Sequence, residues 1–195
     1  MTSLGICIGA SSISYAITEK DKILEAKTGL HEGNPKKYFQ EILKEINLKK
    51  IDNCLITGRK FKELVNIPNV TEPEAIENAI EFLKLKNYDA IISAGGENFI
   101  IYFLDSEGKI SKVEAGNKCA SGTGEFFLQQ IKRMGITKEE AVELGLKGQP
   151  HKISGRCSVF CKSDCTHALN KGEKKENVVS GLCEMMANKI LDLIN

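Results

Sequence analysis

The chain has 195 residues, with 27 Lys+Arg against 26 Asp+Glu and a net charge of +1. That length fits one large domain or two small lobes with a real hydrophobic core, and the charge balance argues against a nucleic-acid partner bound through a basic face. No apolar run approaches the roughly 18–20 residues of a membrane helix, and Met1-Thr2-Ser3-Leu4-Gly5 lacks the basic and apolar regions of a signal peptide, so no membrane partner and a cytoplasmic location are expected.

Leu4–Ile8 reads as a short strand, stopped by Gly9-Ala10-Ser11-Ser12, and Ile13–Thr18 as its hairpin partner. Asp21-Lys22 turns the chain into Ile23–Lys27. From Pro35 to Ile46 the apolar residues Phe39, Ile42, Leu43 and Ile46 recur at helical spacing, with Asn34 as the expected cap. Asn53–Thr57 is a strand ended by Gly58, and Glu72-Pro73-Glu74 opens a helix expected to run through Leu85. The pattern then restarts. Residues 89–93 form a strand ended by Ala94-Gly95-Gly96-Glu97-Asn98, Phe99–Asp105 its partner, and Ile110–Glu114 a third strand. Strand, glycine turn, strand, turn, strand therefore occurs twice, an architectural rather than a sequence repeat. The last third is helical: Glu125–Met134, Lys138–Leu146 opened at Thr137, Ser158–Leu169, and Asn177–Ile194. The fold class is α/β.

Seven cysteines are too sparse for a secreted disulfide scaffold, and their odd number points to buried thiols, a metal site or a reactive thiol. Cys7, Cys54 and Cys183 fall within apolar strand or helix patterns and are expected to be buried. Cys119, in Asn117-Lys118-Cys119-Ala120-Ser121-Gly122-Thr123-Gly124, and Cys157, in Ser154-Gly155-Arg156-Cys157, each stand just ahead of a helix. A helix N-terminus offers unpaired N–H groups and a positive dipole end, which favour a thiolate. Cys161 and Cys165 follow Cys157 at four-residue spacing on one helical face, which suits either a metal surface or small apolar packing. The spacing is not that of a zinc ribbon. His31 and His151 fall in loops and His167 in a helix, none at ligand spacing to another residue.

The glycine turns are the other candidate. Backbone N–H groups of Gly9, Ser11 and Ser12, and of Gly95 and Gly96, could converge on phosphate oxygens if the turns faced one another across a cleft; Gly122, Thr123 and Gly124 are further candidates at a helix start. The carboxylate that such a site needs for Mg²⁺ is scarce: of the flanking residues Cys7, Ile8, Ser11, Ser12, Ser93, Ala94, Glu97 and Asn98, only Glu97 is acidic.

The two cysteine runs, Asn117–Gly124 and Ser154–Phe160 followed by Ser163, resemble the two signatures of the 2-hydroxyacyl-CoA dehydratase activators, the BadF/BadG/BcrA/BcrD ATPase group. The likeness covers essentially the whole chain. It is closest to the N-terminal activase-like unit of the large fused members, which carry runs very similar to His31-Glu32-Gly33-Asn34-Pro35, Thr57-Gly58-Arg59-Lys60 and Cys161–Leu169. The resemblance implies an actin/hexokinase/Hsp70-like (ASKHA, ribonuclease H-like) two-lobe fold, with residues 1–88 as the first lobe and 89–195 as the second. It implies a homodimer holding one [4Fe-4S] cluster, with Cys119 and Cys157 as each subunit's ligands and Cys161 and Cys165 as further candidates. It implies ATP-coupled passage of a low-potential electron to a 2-hydroxyacyl-CoA dehydratase or benzoyl-CoA reductase-like partner, separate or fused.

The departures bear on ATP and Mg²⁺. Cys7 stands where the family's first hairpin carries Asp, Ser93 where the second does, Glu97-Asn98 where it has Gln-Asp, and the later adenosine-contacting Gly-Gly motif has no counterpart before Asn195. The expected unit keeps its cluster ligands and lacks the usual phosphate-site carboxylates, as a fragment of a longer chain or as a unit relying on another for ATP. A nucleotide-binding ATPase of the same fold and a non-catalytic docking domain for a full activase are the alternatives. A thiol enzyme built on Cys119 is the most distant, for want of a positioned His base.

Overall fold

The structure is a computed structural model, and it describes residues 1–58, 65–116 and 123–194. The order of elements is β1 (Thr2–Ile8), β2 (Ser12–Glu19), β3 (Lys22–Leu30), α1 (Pro35–Glu45), β4 (Asn53–Thr57), α2 (Glu72–Phe82), β5 (Ala90–Ala94), β6 (Phe99–Leu104), β7 (Ile110–Ala115), α3 (Gly124–Arg133), α4 (Lys138–Lys147), α5 (Ser158–Asn170) and α6 (Lys175–Ile194). The chain divides into two compact units, Met1–Ile91 with Tyr102–Lys112, and Ile92–Ile101 with Val113–Asn195. Strands β5, β6 and β7 pair in that order in a three-stranded sheet.

In the first unit the sheet order is β3-β2-β1-β4. β1, β2 and β3 form an antiparallel meander, and β4 lies parallel to β1 with Cys7 opposite Thr57. A strand alternates its side chains between faces. β1 therefore buries Leu4, Ile6 and Ile8, which pack with Ile13 and Tyr15 of β2 and with Phe39 and Ile42 of α1. Asn34 starts α1 by accepting a hydrogen bond from the Lys37 amide, with Pro35 in the first turn. The opposite sheet face is floored by small residues, among them Gly5, Ala16 and Ala26, under an open groove of about 560 Å³ walled by Ala75 and Asn78 of α2.

The second unit is dominated by α3 to α6. Their shared core holds Phe126 and Ile131 of α3, Ala141 of α4, Cys161 and Cys165 of α5, and Val178, Val179 and Leu182 of α6. Thr137 and Glu140 close a reciprocal capping box on α4. Two glycines let backbone approach backbone at α6. A Cβ on Gly148 would stand 2.1 Å from the Glu176 carbonyl oxygen, and one on Gly181 2.0 Å from that of His151. No helix among the described residues is long and apolar enough to cross a membrane.

Candidate functional site

The first glycine turn, Gly9-Ala10-Ser11-Ser12, closes through the Gly9 amide donating to the Ser12 carbonyl at 2.9 Å. It is braced by His31, just after β3. The His31 amide donates to the Ser11 carbonyl at 3.1 Å, and its ring nitrogen Nε2 lies 3.3 Å from the Gly9 carbonyl. The Gly33 amide donates to Nδ1 at 3.2 Å. Nδ1 is thus the unprotonated nitrogen, and the ring proton on Nε2 faces Gly9. His31 lies outside the strands and helices, as expected, but it is only 5% exposed, with both ring nitrogens engaged.

The second glycine turn repeats the closure, the Gly95 amide donating to the Asn98 carbonyl at 3.1 Å. It is braced by the start of α3. The Gly124 and Glu125 amides, which a helix N-terminus leaves unpaired, donate to the Gly95 and Gly96 carbonyls at 3.0 and 3.1 Å. Thr123 caps α3 by accepting from the Phe126 amide. The structure thus joins Gly95, Gly96 and Gly124 in one arrangement, in which the Gly124 amide is bound to protein. Gly122 lies outside the described residues.

Cys157 is the N-cap of the 13-residue helix α5, in extended conformation (φ −149°, ψ 138°), and its side chain makes no capping hydrogen bond. It is half-buried. Cys157 thus stands at the end of the helix where the first amides are left unpaired and the dipole is positive. The loop ahead of it is tied to α5, since the Asp164 carboxylate accepts from the Ser154 amide at 2.8 Å. α5 is tied to α3 through Arg133, which donates to Thr166 at 3.1 Å. Cys119, the other expected ligand, lies outside the described residues.

Cys161 and Cys165 are 0% and 3% exposed and sit in the apolar core. The Cys161 thiol is held well above the ordinary range because it donates to Cys165 and is buried, and the same bond lowers Cys165. Among the described residues, no group of three or more His, Cys, Asp or Glu side chains is placed to hold a metal ion.

The expectation of buried thiols fails at Cys7 and Cys183, both exposed; Cys54 is half-buried, and burial pushes its thiol up. Cys7 is one residue out of phase with Leu4, Ile6 and Ile8, and so lies on the opposite sheet face. On α6 the buried side runs through Val178, Val179, Leu182 and Met185, which leaves Cys183 beside it. Opposite Cys7, the Thr57 hydroxyl oxygen is buried without a partner among the described residues.

A sheet fed by antiparallel hairpins, a parallel β4, a glycine turn at each restart and a helical second unit define an α/β protein of the actin/hexokinase/Hsp70-like ASKHA fold. The solved activator of 2-hydroxyisocaproyl-CoA dehydratase from Clostridium difficile, with bound ADPNP, superposes with a TM-score of 0.84 at 21% identity, over 100% of this chain and 75% of that one. Component A of (R)-2-hydroxyglutaryl-CoA dehydratase from Acidaminococcus fermentans gives 0.82 at 22% identity, over 100% and 78%. The chain belongs to the BadF/BadG/BcrA/BcrD ATPase family, which its residues 4–195 match. It is 26% identical to the (R)-2-hydroxyglutaryl-CoA dehydratase activating ATPase of A. fermentans, and 26% identical to the activator of lactoyl-CoA dehydratase of Anaerotignum propionicum. Each alignment spans 99% of this chain and 77% of the relative.

Proposed function

We propose that this chain is an iron–sulfur electron-transfer activator unit for a 2-hydroxyacyl-CoA dehydratase or benzoyl-CoA reductase-like partner. Its relatives activate CoA-ester dehydratases, and the observation that carries the reading is Cys157 at the start of α5, its side chain outside any capping bond. A [4Fe-4S] cluster takes four thiolates. With Cys119 and Cys157 as the two ligands of each chain, the set closes across a homodimer two-fold axis. The cluster, when bound, supplies one-electron carriage at low potential. The protein's part is to hold the Cys157 thiolate beside the unpaired amides of α5, which stabilise negative charge, and to keep the loop ahead of it in place through Asp164. Cys161 and Cys165, sealed in apolar packing, serve as core residues.

Anaerobically prepared protein is expected to contain about two irons and two sulfides per chain, half of a four-iron cluster shared by two copies, with an EPR signal on reduction. Cys119→Ala and Cys157→Ala each abolish both. A colourless wild-type protein after anaerobic reconstitution would overturn the proposal.

The second reading adds nucleotide. It is favoured by the closure of both glycine turns and by the ADPNP bound to the solved relative. With Cys7 and Ser93 in place of carboxylates, binding would rest on backbone amides, and Mg²⁺-dependent affinity is expected to be weak. Calorimetric titration with ADP, with and without Mg²⁺, tests this.

A further inference from the structure

The two glycine turns share a feature that their sequences do not announce. In each, the carbonyl groups are held from behind by donors belonging to another segment. At the second turn these donors are the Gly124 and Glu125 amides, which take the Gly95 and Gly96 carbonyls. Among the described residues no helix start stands at the first turn. There His31 reaches two of the turn's carbonyls, that of Gly9 through its ring nitrogen and that of Ser11 through its backbone amide.

A trans peptide sets its C=O and N–H on opposite sides. Holding the Gly9 carbonyl toward the imidazole therefore turns the Ala10 N–H away from it. The ring is itself fixed by the Gly33 amide on Nδ1, and Gly33 takes φ +83°, a conformation open to glycine. The Asn34 amide then donates to the His31 carbonyl at 2.7 Å, and the Asn34 side chain caps α1. One buried side chain thus connects the start of α1 to the orientation of a peptide in the glycine turn.

We propose that His31 is a positioning residue for anion recognition: it presents the first turn's outward amide, that of Ala10, to a phosphate oxygen. The ligand class is a nucleoside diphosphate or its diphosphate part. This rests on the nucleotide reading above, and deepens it by naming what orients the turn when no carboxylate is present beside it. The amide side chain of Gln can copy both bonds of the neutral imidazole, donating to Gly9 and accepting from Gly33. Ala copies neither, and Phe fills the space without donating or accepting.

The experiment compares wild type with His31→Ala, His31→Phe and His31→Gln. ADP and adenosine are titrated calorimetrically, and pyrophosphate is titrated while the ¹⁵N-labelled Ala10 amide is followed by NMR. His31→Ala, or His31→Phe should the Ala variant unfold, is expected to bind ADP about tenfold more weakly, the worth of one hydrogen bond to a charged group. Adenosine affinity stays as in wild type, and His31→Gln returns to within about threefold for ADP. Unchanged ADP affinity in the Ala and Phe variants overturns the proposal and leaves the nucleotide reading standing. An equal loss for ADP and adenosine also overturns it, since a merely structural role moves both alike. Pyrophosphate shifts at Ala10 in wild type and not in the Phe variant, without ADP heat, would sink the nucleotide reading while upholding the role of His31. Neither heat nor shift in wild type overturns both.

Discussion

The Asp164 carboxylate accepts the Ser154 amide at 2.8 Å, so the second turn of α5 anchors the loop that leads into the same helix at Cys157. The bond is partly buried, and its acceptor is charged. Hydrogen bonds of that kind contribute about 1.5–3 kcal/mol. Asp164→Ala is expected to lower the thermal midpoint by several degrees, at roughly 2–4 °C per kcal/mol for a chain of this size. Asp164→Asn, which keeps an acceptor oxygen, should lose about half as much. Loosening the loop also speeds alkylation of Cys157, so thermal scans and peptide-level labelling rates should move together. A faster Cys157 with an unmoved midpoint would contradict the anchoring role.

Thiol labelling of the folded protein should separate the six cysteines among the described residues into three groups. Cys7 and Cys183 are exposed, Cys54 and Cys157 half-buried, Cys161 and Cys165 buried. Iodoacetamide followed by mass spectrometry is expected to modify Cys7 first, and Cys183 after it, because burial pushes the Cys183 thiol up although the residue as a whole is exposed. Cys161 and Cys165 should react only on unfolding, since both are sealed in the core, and the bond to Cys165 with burial also holds the Cys161 thiol neutral. Rapid modification of Cys161 in native protein would mean that the α3–α6 core is open.

Where the determining chemistry is local, the sequence announces the structure. Asn34 before Pro35 caps α1, Thr137 opens α4, and the strand Asn53–Thr57 stands as expected. The ASKHA fold was legible because two hairpins with glycine turns restart at residue 89 and the cysteine runs resemble one family. Ends decided by the turn that follows were less legible. α2 stops at Phe82 rather than Leu85, since the chain takes left-handed backbone at Lys84 and Asn87. Partnerships across long separations were not legible at all. Nothing near His31 in sequence signals that its ring faces Gly9, 22 residues earlier, and the exposure of Cys7 depends on which face of β1 meets α1.

Tyr15 makes stability fall at high pH. Its hydroxyl donates to the Glu25 carboxylate, and that bond, with burial and the Glu25 charge, pushes the phenol up to about 12 from its ordinary 10.0. Between these values the unfolded chain has released the proton and the native protein has kept it. The native state then binds more protons, and unfolding free energy decreases with pH. The contribution is fully present below pH 10 and is lost as pH approaches 12. Urea midpoints measured across this range should decline for wild type and decline less for Tyr15→Phe. Equal slopes would mean that Tyr15 titrates normally.

Gly181 presents two effects of opposite sign. Within α6, replacing Gly by Ala gains up to about 1 kcal/mol of helix propensity. Against that, the new Cβ would stand 2.0 Å from the His151 carbonyl oxygen and 3.1 Å from the His151 nitrogen. His151 cannot simply retreat, because its amide donates to the Asn177 carbonyl at 3.0 Å and the Gln149 amide donates to the Asn177 side chain at 2.8 Å. Relieving the clash separates this segment from α6 and breaks those bonds, at about 1 kcal/mol each besides the overpacking cost of roughly 1–3 kcal/mol. The contact outweighs the propensity, so Gly181→Ala should be net destabilising by about 2–4 kcal/mol in urea denaturation. Because the clash is with backbone, truncating the His151 side chain should not rescue it. A stabilised Gly181→Ala variant would mean that the 148–153 segment does not lie against α6 in solution.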